Sequence, residues 1–373
     1  MSGSPCAGQS ESPLAELERI LGCHWKNIED AHRRTEDTLQ QLSKILEGKP
    51  GPDTSVIVHG SLGRYECTQG SDLDWTFLVD GEANAGVQDI FIEIKKALFG
   101  EARFVELGLQ KPGGEGTFGA LAFSQPIVLF IGGEDDSNSN TTRRVLLLLE
   151  ALPVGERRLA FDRVRKNILK RYIDEDRRLL EKKQDNESRR WVPLFLLNDF
   201  ARYWRTMAVD FAYKQFDRGN DGYALRNIKS GLSRKLLFAS GLLACFWCDP
   251  IISKNESQEI SKQSLIHCLS TFLSLTPLER IALFFTTHLR VSESKFLREN
   301  AKDLFCSYDA FLGILNDSDK RNRLKKLMQE EEESDEIFRE AWKTRKVFRK
   351  AIQDMFLGNE SPLRNFSIER GVF

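Results

Sequence analysis

The apolar positions change rhythm along the chain, and each change predicts a different element. From Leu14 to Leu46, Leu17, Ile20, Leu21, Trp25 and Ile28 recur at helical spacing among charged residues, which predicts one long helix or two shorter ones. GKPGPDTS (48–55) is a turn-rich break. SVIVH (55–59) is then a short apolar run stopped by Gly60, and LDWTFLV (73–79) is another closed by Asp80-Gly81; both predict strands. VQDIFIEIKKAL (87–98) returns to helical periodicity. ARFVELGL (102–109) predicts a third strand, KPGGEGTFG (111–119) a glycine-rich loop, and 121–131 one or two more strands before Gly132-Gly133. After Thr141 the pattern is helical almost throughout, with apolar residues three and four apart as in helices packed on one another. The expected organisation is a helical N-terminal segment (1–50), a small α/β module (51–135) and a mostly α-helical domain (141–373).

Composition narrows the class. With 41% hydrophobic and 29% charged residues, a packed protein is expected rather than a disordered one. No apolar run reaches the roughly 18 residues a bilayer span needs, so no membrane partner is expected. MSGSPCAGQSESP lacks the basic-then-apolar layout of a secretory leader, and the expected compartment is the cytoplasm. Seven scattered cysteines argue for reduced thiols, not a disulfide scaffold. Cys245 and Cys248 form one CxxC in an apolar stretch; a zinc site needs a second ligand pair, so two buried thiols are expected there. The net charge of −1 hides a segment dense in basic residues (143–190) and an acidic run around 330–336. Near-neutrality therefore excludes no anionic partner, because local fields decide that.

The chemistry lies in GSLGRYECTQGSDLD (60–74). A Gly60-Ser61 pair at a strand end offers backbone N–H groups to an anion such as phosphate, and its small residues let the anion approach the main chain. Asp72 and Asp74 alternate with Leu73, so both carboxylates point to one face, roughly 6.6 Å apart along the strand. Two like charges at about 4 Å and an effective dielectric near 20 repel by roughly 4 kcal/mol. A divalent cation reverses that sign, and two such ions clamp the attacking and leaving oxygens of a phosphoryl displacement. Read blandly, Gly-Ser and Asp-x-Asp are loop vocabulary with Asp72 as a cap. The agreement of strand, turn, spacing and second strand favours the metal site.

GSx10DxD resembles the signature of the DNA polymerase β-like nucleotidyltransferase superfamily, and GSLGRYE…GSDLD looks most like its protein-modifying branch, the uridylyltransferase and glutamine-synthetase adenylyltransferase group. The resemblance covers 56–80 most strongly and reaches about 124. It implies an α/β (α+β) nucleotidyltransferase core with a short mixed sheet, followed by a helical domain that closes over the nucleotide. It also implies a third carboxylate from a later strand. Glu106, between the apolar Val105 and Leu107 and before Lys111-Pro112, is the candidate, with Glu115 next; Glu replaces the usual Asp there, and the spacing is one residue longer. Arg64 and Lys111 either hold phosphate oxygens or, for Arg64, pair with Glu66 or Asp72. Relatives grip the triphosphate with Lys and Ser from the second domain. Lys229, Ser233 and Lys235 match those, or else form a solvated basic face. Tyr203 or Trp204 either stacks a base or belongs to the core. His59 is expected to be structural, since phosphoryl transfer needs positioning and charge more than an imidazole.

The expected protein is thus an enzyme. It binds an NTP or dNTP with two Mg2+ (or Mn2+) ions on Asp72, Asp74 and Glu106, transfers the nucleoside monophosphate to a hydroxyl and releases pyrophosphate. The resemblance favours a protein side chain as acceptor. The alternatives are a nucleic-acid end or an oligonucleotide grown without template, in an antiviral-defence or toxin–antitoxin setting, and a catalytically degenerate nucleotide- or partner-binding module.

Overall fold

A computed structural model of the chain describes residues 11–49, 51–82, 84–99, 109, 119–176, 191–217, 222–255 and 261–371. Its architecture is mixed α/β and mostly helical, with one small four-stranded sheet in the order β3-β2-β1-β4. β1 (Thr54–Val58) and β2 (Trp75–Val79) form its antiparallel centre, with Val58 opposite Trp75 and Thr54 opposite Val79. β3 (Ala120–Phe123) runs parallel to β2, and β4 (Leu152–Val154) antiparallel to β1.

Both central strands are buried along their whole length, because the sheet is covered on two faces. Side-chain alternation sorts them. Val56, Val58, Trp75, Phe77 and Val79 join a cluster with Leu42, Leu46, Ile94 and Leu98. Ile57 and Leu78 point the other way into the large helical core. The first face is covered by α2 (Lys26–Ile45) and α4 (Gly86–Phe99), which follow α1 (Pro13–Leu21) and the single turn α3 (Gly60–Gly63).

The N-terminal run forms two helices, not one. Ser12 caps α1 through Ala15 N (3.2 Å) with Pro13 in the first turn, and Gly22 ends it in the left-handed region. α2 buries Ile28, Ala31, Thr35, Thr38 and Leu42, three and four apart, as an amphipathic helix requires.

The remaining helices are α5 (Ser124–Leu129), α6 (Asn138–Leu149), α7 (Leu159–Glu175), α8 (Leu194–Asp217), α9 (Tyr223–Lys229) and α10 (Lys235–Trp247). They continue with α11 (Pro250–Ser253), α12 (Lys262–Ser274), α13 (Pro277–Val291), α14 (Lys295–Asn316), α15 (Ser318–Lys326), α16 (Glu336–Leu357) and α17 (Arg364–Phe366). α1 packs on α13 and α2 on α14, so the N-terminal segment is tied to the far end of the chain. Asp309 on α14 accepts bonds from Asn27 N (2.8 Å) and Ile28 N (3.0 Å) at the start of α2. No single helix among the described residues is long and apolar enough to cross a membrane.

Three local expectations need correction. β2 starts at Trp75 rather than Leu73. Residues 121–131 give one short strand and then α5, in whose first turn Pro126 forfeits no intrahelical hydrogen bond. β4 breaks what reads as continuous helix; it is a three-residue edge strand, the place in a sheet that tolerates Pro153. The predicted strand over 102–109 lies outside the described residues apart from Leu109, which is buried against the β1–β2 cluster.

Candidate active site

Three segments reach the same end of the sheet. The β1–β2 ladder continues one step beyond Val58 and Trp75, with His59 N donating to Asp74 O at 2.8 Å. β4 pairs Leu152 with Val58, so carrying the register two residues on sets Glu150 across from Gly60. Gly60 N donates to Glu150 Oε1 at 3.2 Å. The turn after β1, the acids before β2 and the acid before β4 therefore meet.

Two glycines make that meeting possible. Gly60 has φ +63, and a β-carbon there would stand 2.6 Å from Asp74 Oδ2. At Gly63 a β-carbon would fall 1.8 Å from the carbonyl oxygen of Glu150, a backbone atom that cannot give way. The Gly-Ser-Leu-Gly turn is thus fixed by the close approach of its neighbours as well as by its own conformation.

Asp72 and Asp74 lie on one wall of a cleft of about 530 Å³, while Leu73 between them is fully buried on the opposite face. Among the described residues neither carboxylate accepts a hydrogen bond. The Asp74 carboxyl is pushed up to about 7 by burial, then by the charges of Asp72 and Glu150, against the pull of Arg64 and Lys229. Lys229 lies close enough to feel both acids. Burial first, then Arg321 and Arg64, bring its ammonium down to about 8, while Asp72 and Asp74 oppose them.

Arg64 lines the cleft but is claimed by two carboxylates. Its Nε donates to Glu66 Oε2 at 2.8 Å and its Nη1 to Glu150 Oε2 at 2.6 Å. The pairing with Glu66 is one of those the sequence allowed; the pairing with Glu150 replaces the one with Asp72. Glu66 and Glu150 are nearly inaccessible at the foot of the cleft, and burial raises the Glu66 carboxyl above its usual range against the pull of Arg64.

The opposite wall comes from the helical part. α9 ends at Lys229, and the π-turn Ser230–Arg234 that follows widens the helix just where Ser233 and Arg234 face the cleft. Arg226, Tyr203, Thr206 and Asp210 complete that side. α15 reaches across: Arg321 Nη1 donates to Gln69 O at 2.7 Å and its Nη2 to Gly70 O, while Asn316 Oδ1 accepts from Gln69 N at 3.2 Å. The loop carrying Asp72 is therefore held by the C-terminal helices.

Of the residues singled out from sequence, the fold brings together Gly60, Ser61, Arg64, Asp72, Asp74, Lys229 and Ser233. Lys235 does not line the cleft; it sits near Arg345 and Arg349, whose charges lower its pKa after burial has done so. Glu106, Glu115 and Lys111 lie outside the described residues. Tyr203 is buried at the cleft wall, and Trp204 stacks on Phe238 with ring centroids 5.1 Å apart. Burial brings the His59 imidazole down to about 4, so it is neutral near pH 7, in keeping with a structural part. Cys245 and Cys248 are buried free thiols.

Sequence reasoning missed Glu150, Arg234 and Arg321. None sits in a motif, and Glu150 is marked only as the first charge after the apolar run VLLLL. The basic stretch 143–190 is not one solvated face. Arg144 is wholly buried, with Nη2 2.8 Å from both Asp136 and Asp199, and Arg163 bonds Asp53 and Asp80. Residues 177–190 lie outside the described residues.

Two carboxylates with no hydrogen-bond donor among the described residues, on one wall and facing a hollow that a β-carbon would fill, suit divalent cations. Among the described residues no third His, Cys, Asp or Glu joins them as a metal-binding group. No protein-family model matches the chain, and no curated protein matches it.

Proposed function

We propose that this chain is a metal-dependent nucleotidyltransferase. One observation carries the reading: Asp72 and Asp74 share a cleft wall, with Gly60 and Ser61 at its foot and Lys229 and Ser233 opposite. The acids suit a metal-bound phosphate, and the cationic wall suits the tail of a triphosphate. The GSx10DxD resemblance points to the same chemistry.

In this reading the acceptor's hydroxyl oxygen attacks the α-phosphorus of an NTP or dNTP. The bond from that phosphorus to the bridging oxygen breaks, and pyrophosphate leaves with the electron pair. The acceptor's proton passes to Glu106, the third acid expected from sequence, or to solvent. Mg2+ or Mn2+ held by Asp72 and Asp74 would supply charge neutralisation at the reacting phosphate. Lys229 and Ser233 orient the leaving pyrophosphate. Arg64 holds the Gly60 turn through Glu150 rather than gripping phosphate itself. The resemblance to protein-modifying enzymes favours a protein hydroxyl as acceptor, whereas a feature beside the cleft favours a nucleic-acid end.

A labelling screen tests the reading. The chain is incubated with each α-labelled NTP and dNTP and Mg2+ or Mn2+, with whole protein extract and mixed oligonucleotides as acceptors. Label is expected in one acceptor with the native chain and in none with the D72N–D74N double variant. Undiminished transfer by the double variant would refute the site.

A further inference from the structure

Beside the cleft lies a second cavity of about 780 Å³ to which the transfer reaction gives no task. The two meet at Asn138, Thr206 and Asp210, which line both. Its long wall is α8, which presents Arg202, Arg205, Val209 and Tyr213, and Arg370 closes another side. Positions 205, 209 and 213 are four apart and so form one stripe along the helix, which Phe216 continues. Val209, Tyr213 and Phe216 are 71%, 64% and 88% exposed, an unusual concentration of large apolar side chains in solvent on one helix.

The charge and shape of this groove select an occupant. Arg205 and Arg370, with Arg202 ion-paired to Asp136 (Nη1 to Oδ2, 3.3 Å), outnumber Asp210 in the lining, and that excess favours a polyanion. Arg202 already bonds Asp136 O (2.9 Å) and Asn138 Oδ1 (3.3 Å), which fixes its guanidinium plane at the groove wall. Guanidinium groups with the Tyr213 ring on the same wall suit a ligand that offers phosphates and unstacked bases together. A duplex hides the faces of its bases, and an acidic peptide leaves the aromatic stripe without a partner.

We propose that the groove along α8 binds a single-stranded nucleic acid and leads its end to Asp72 and Asp74. The second clause rests on the nucleotidyltransferase reading; the binding itself does not.

The test is fluorescence anisotropy of the full chain with fluorescein-labelled 20-mer single-stranded DNA and RNA, with the matching duplex and an acidic peptide as competitors. Single strands are expected to bind, and to weaken about twentyfold between 50 and 200 mM salt if three phosphates are contacted. R205E–R370E is expected to abolish binding, and Y213A to weaken it roughly tenfold while Y213F retains it. All of these positions are at the surface, and unchanged thermal melting confirms that each variant folds. The proposal is overturned if single strands do not bind, if these variants bind as the native chain does, or if duplex or acidic peptide competes as well as single strand. The two readings fail separately. A native chain that transfers no nucleotide yet loses oligonucleotide on R205E–R370E refutes the reaction and leaves the groove standing. Transfer to a protein acceptor that survives R205E–R370E, without oligonucleotide binding, refutes the groove alone.

Discussion

Asp74 Oδ2 stands 2.6 Å from the point that a β-carbon on Gly60 would occupy, so the glycine and the carboxylate share one hollow. Gly60 is also at φ +63, where a side chain is strained even in open space. The glycine of the Gly-Ser pair is therefore needed twice: once for the backbone, once for the acid that faces it.

Gly60→Ala follows from that double requirement. The left-handed backbone alone costs about 1–2 kcal/mol, and the added methyl pushes the Asp74 carboxylate out of the hollow. Chemical denaturation is expected to show a loss of that order, and label transfer to fall far more than the folded fraction does. A variant as active as the native chain would show that the hollow is not used.

The raised Asp74 pKa gives stability a pH dependence with a definite sign. In the unfolded chain the carboxyl releases its proton near 3.8, whereas in the fold it keeps it to about 7. Between these values the folded state holds the extra proton. This contribution is therefore complete at the acid end, shrinks as pH rises and is gone above about 7. Unfolding with a chelator present is expected to show this slope in the native chain and to lose it in D74N. Adding Mg2+ at pH 8 is expected to restore stability to the native chain and not to D74N. An unchanged slope in D74N would assign the titration to another group.

What the sequence makes legible is local. The strands on either side of GSLGRYECTQGSDLD are buried runs with Leu73 facing away from the acids, and that alternation can be read from types and spacing alone. The opposite wall is harder: the resemblance names Lys229 and Ser233, but Arg234 reaches the cleft, and Arg321 the loop before Asp72, through helix packing that no short pattern encodes. Lys235 shows the limit: two residues after Ser233, it lies about 200° further round the helix axis, away from the cleft and near Arg349 and Arg345. Glu150 was invisible because its role depends on a three-residue strand with a proline at its centre.

Arg144 offers a check on the helical core. Its guanidinium is wholly buried, bonded to Asp136, Asp199 and the Tyr172 hydroxyl (Nε to Oη, 2.6 Å). Arg144→Met leaves the buried Asp199 without its cation and Asp136 with Arg202 alone (Nη1 to Oδ2, 3.3 Å), and stability is expected to fall by about 3–5 kcal/mol. Urea unfolding measures it; a loss below 1 kcal/mol would mean that the carboxylates find solvent or protons cheaply.

Glu150 links the site's architecture to its electrostatics. One oxygen accepts from Gly60 N and the other from Arg64 Nη1, and the same charge raises the Asp74 pKa. Two substitutions separate these effects. Glu150→Ala removes both hydrogen bonds and is expected to cost at least about 1.5–3 kcal/mol, the usual range for one bond to a charged group. Glu150→Gln keeps an oxygen for Gly60 N but removes the charge, so it is expected to disturb the fold less while moving the Asp74 titration to lower pH. Carboxyl-carbon NMR of labelled aspartate reads that titration directly, with D74N to assign the signal. If Glu150→Gln leaves the Asp74 midpoint in place, burial and Asp72 alone hold it up. Glu150 would then serve the turn and not the charge of the cleft.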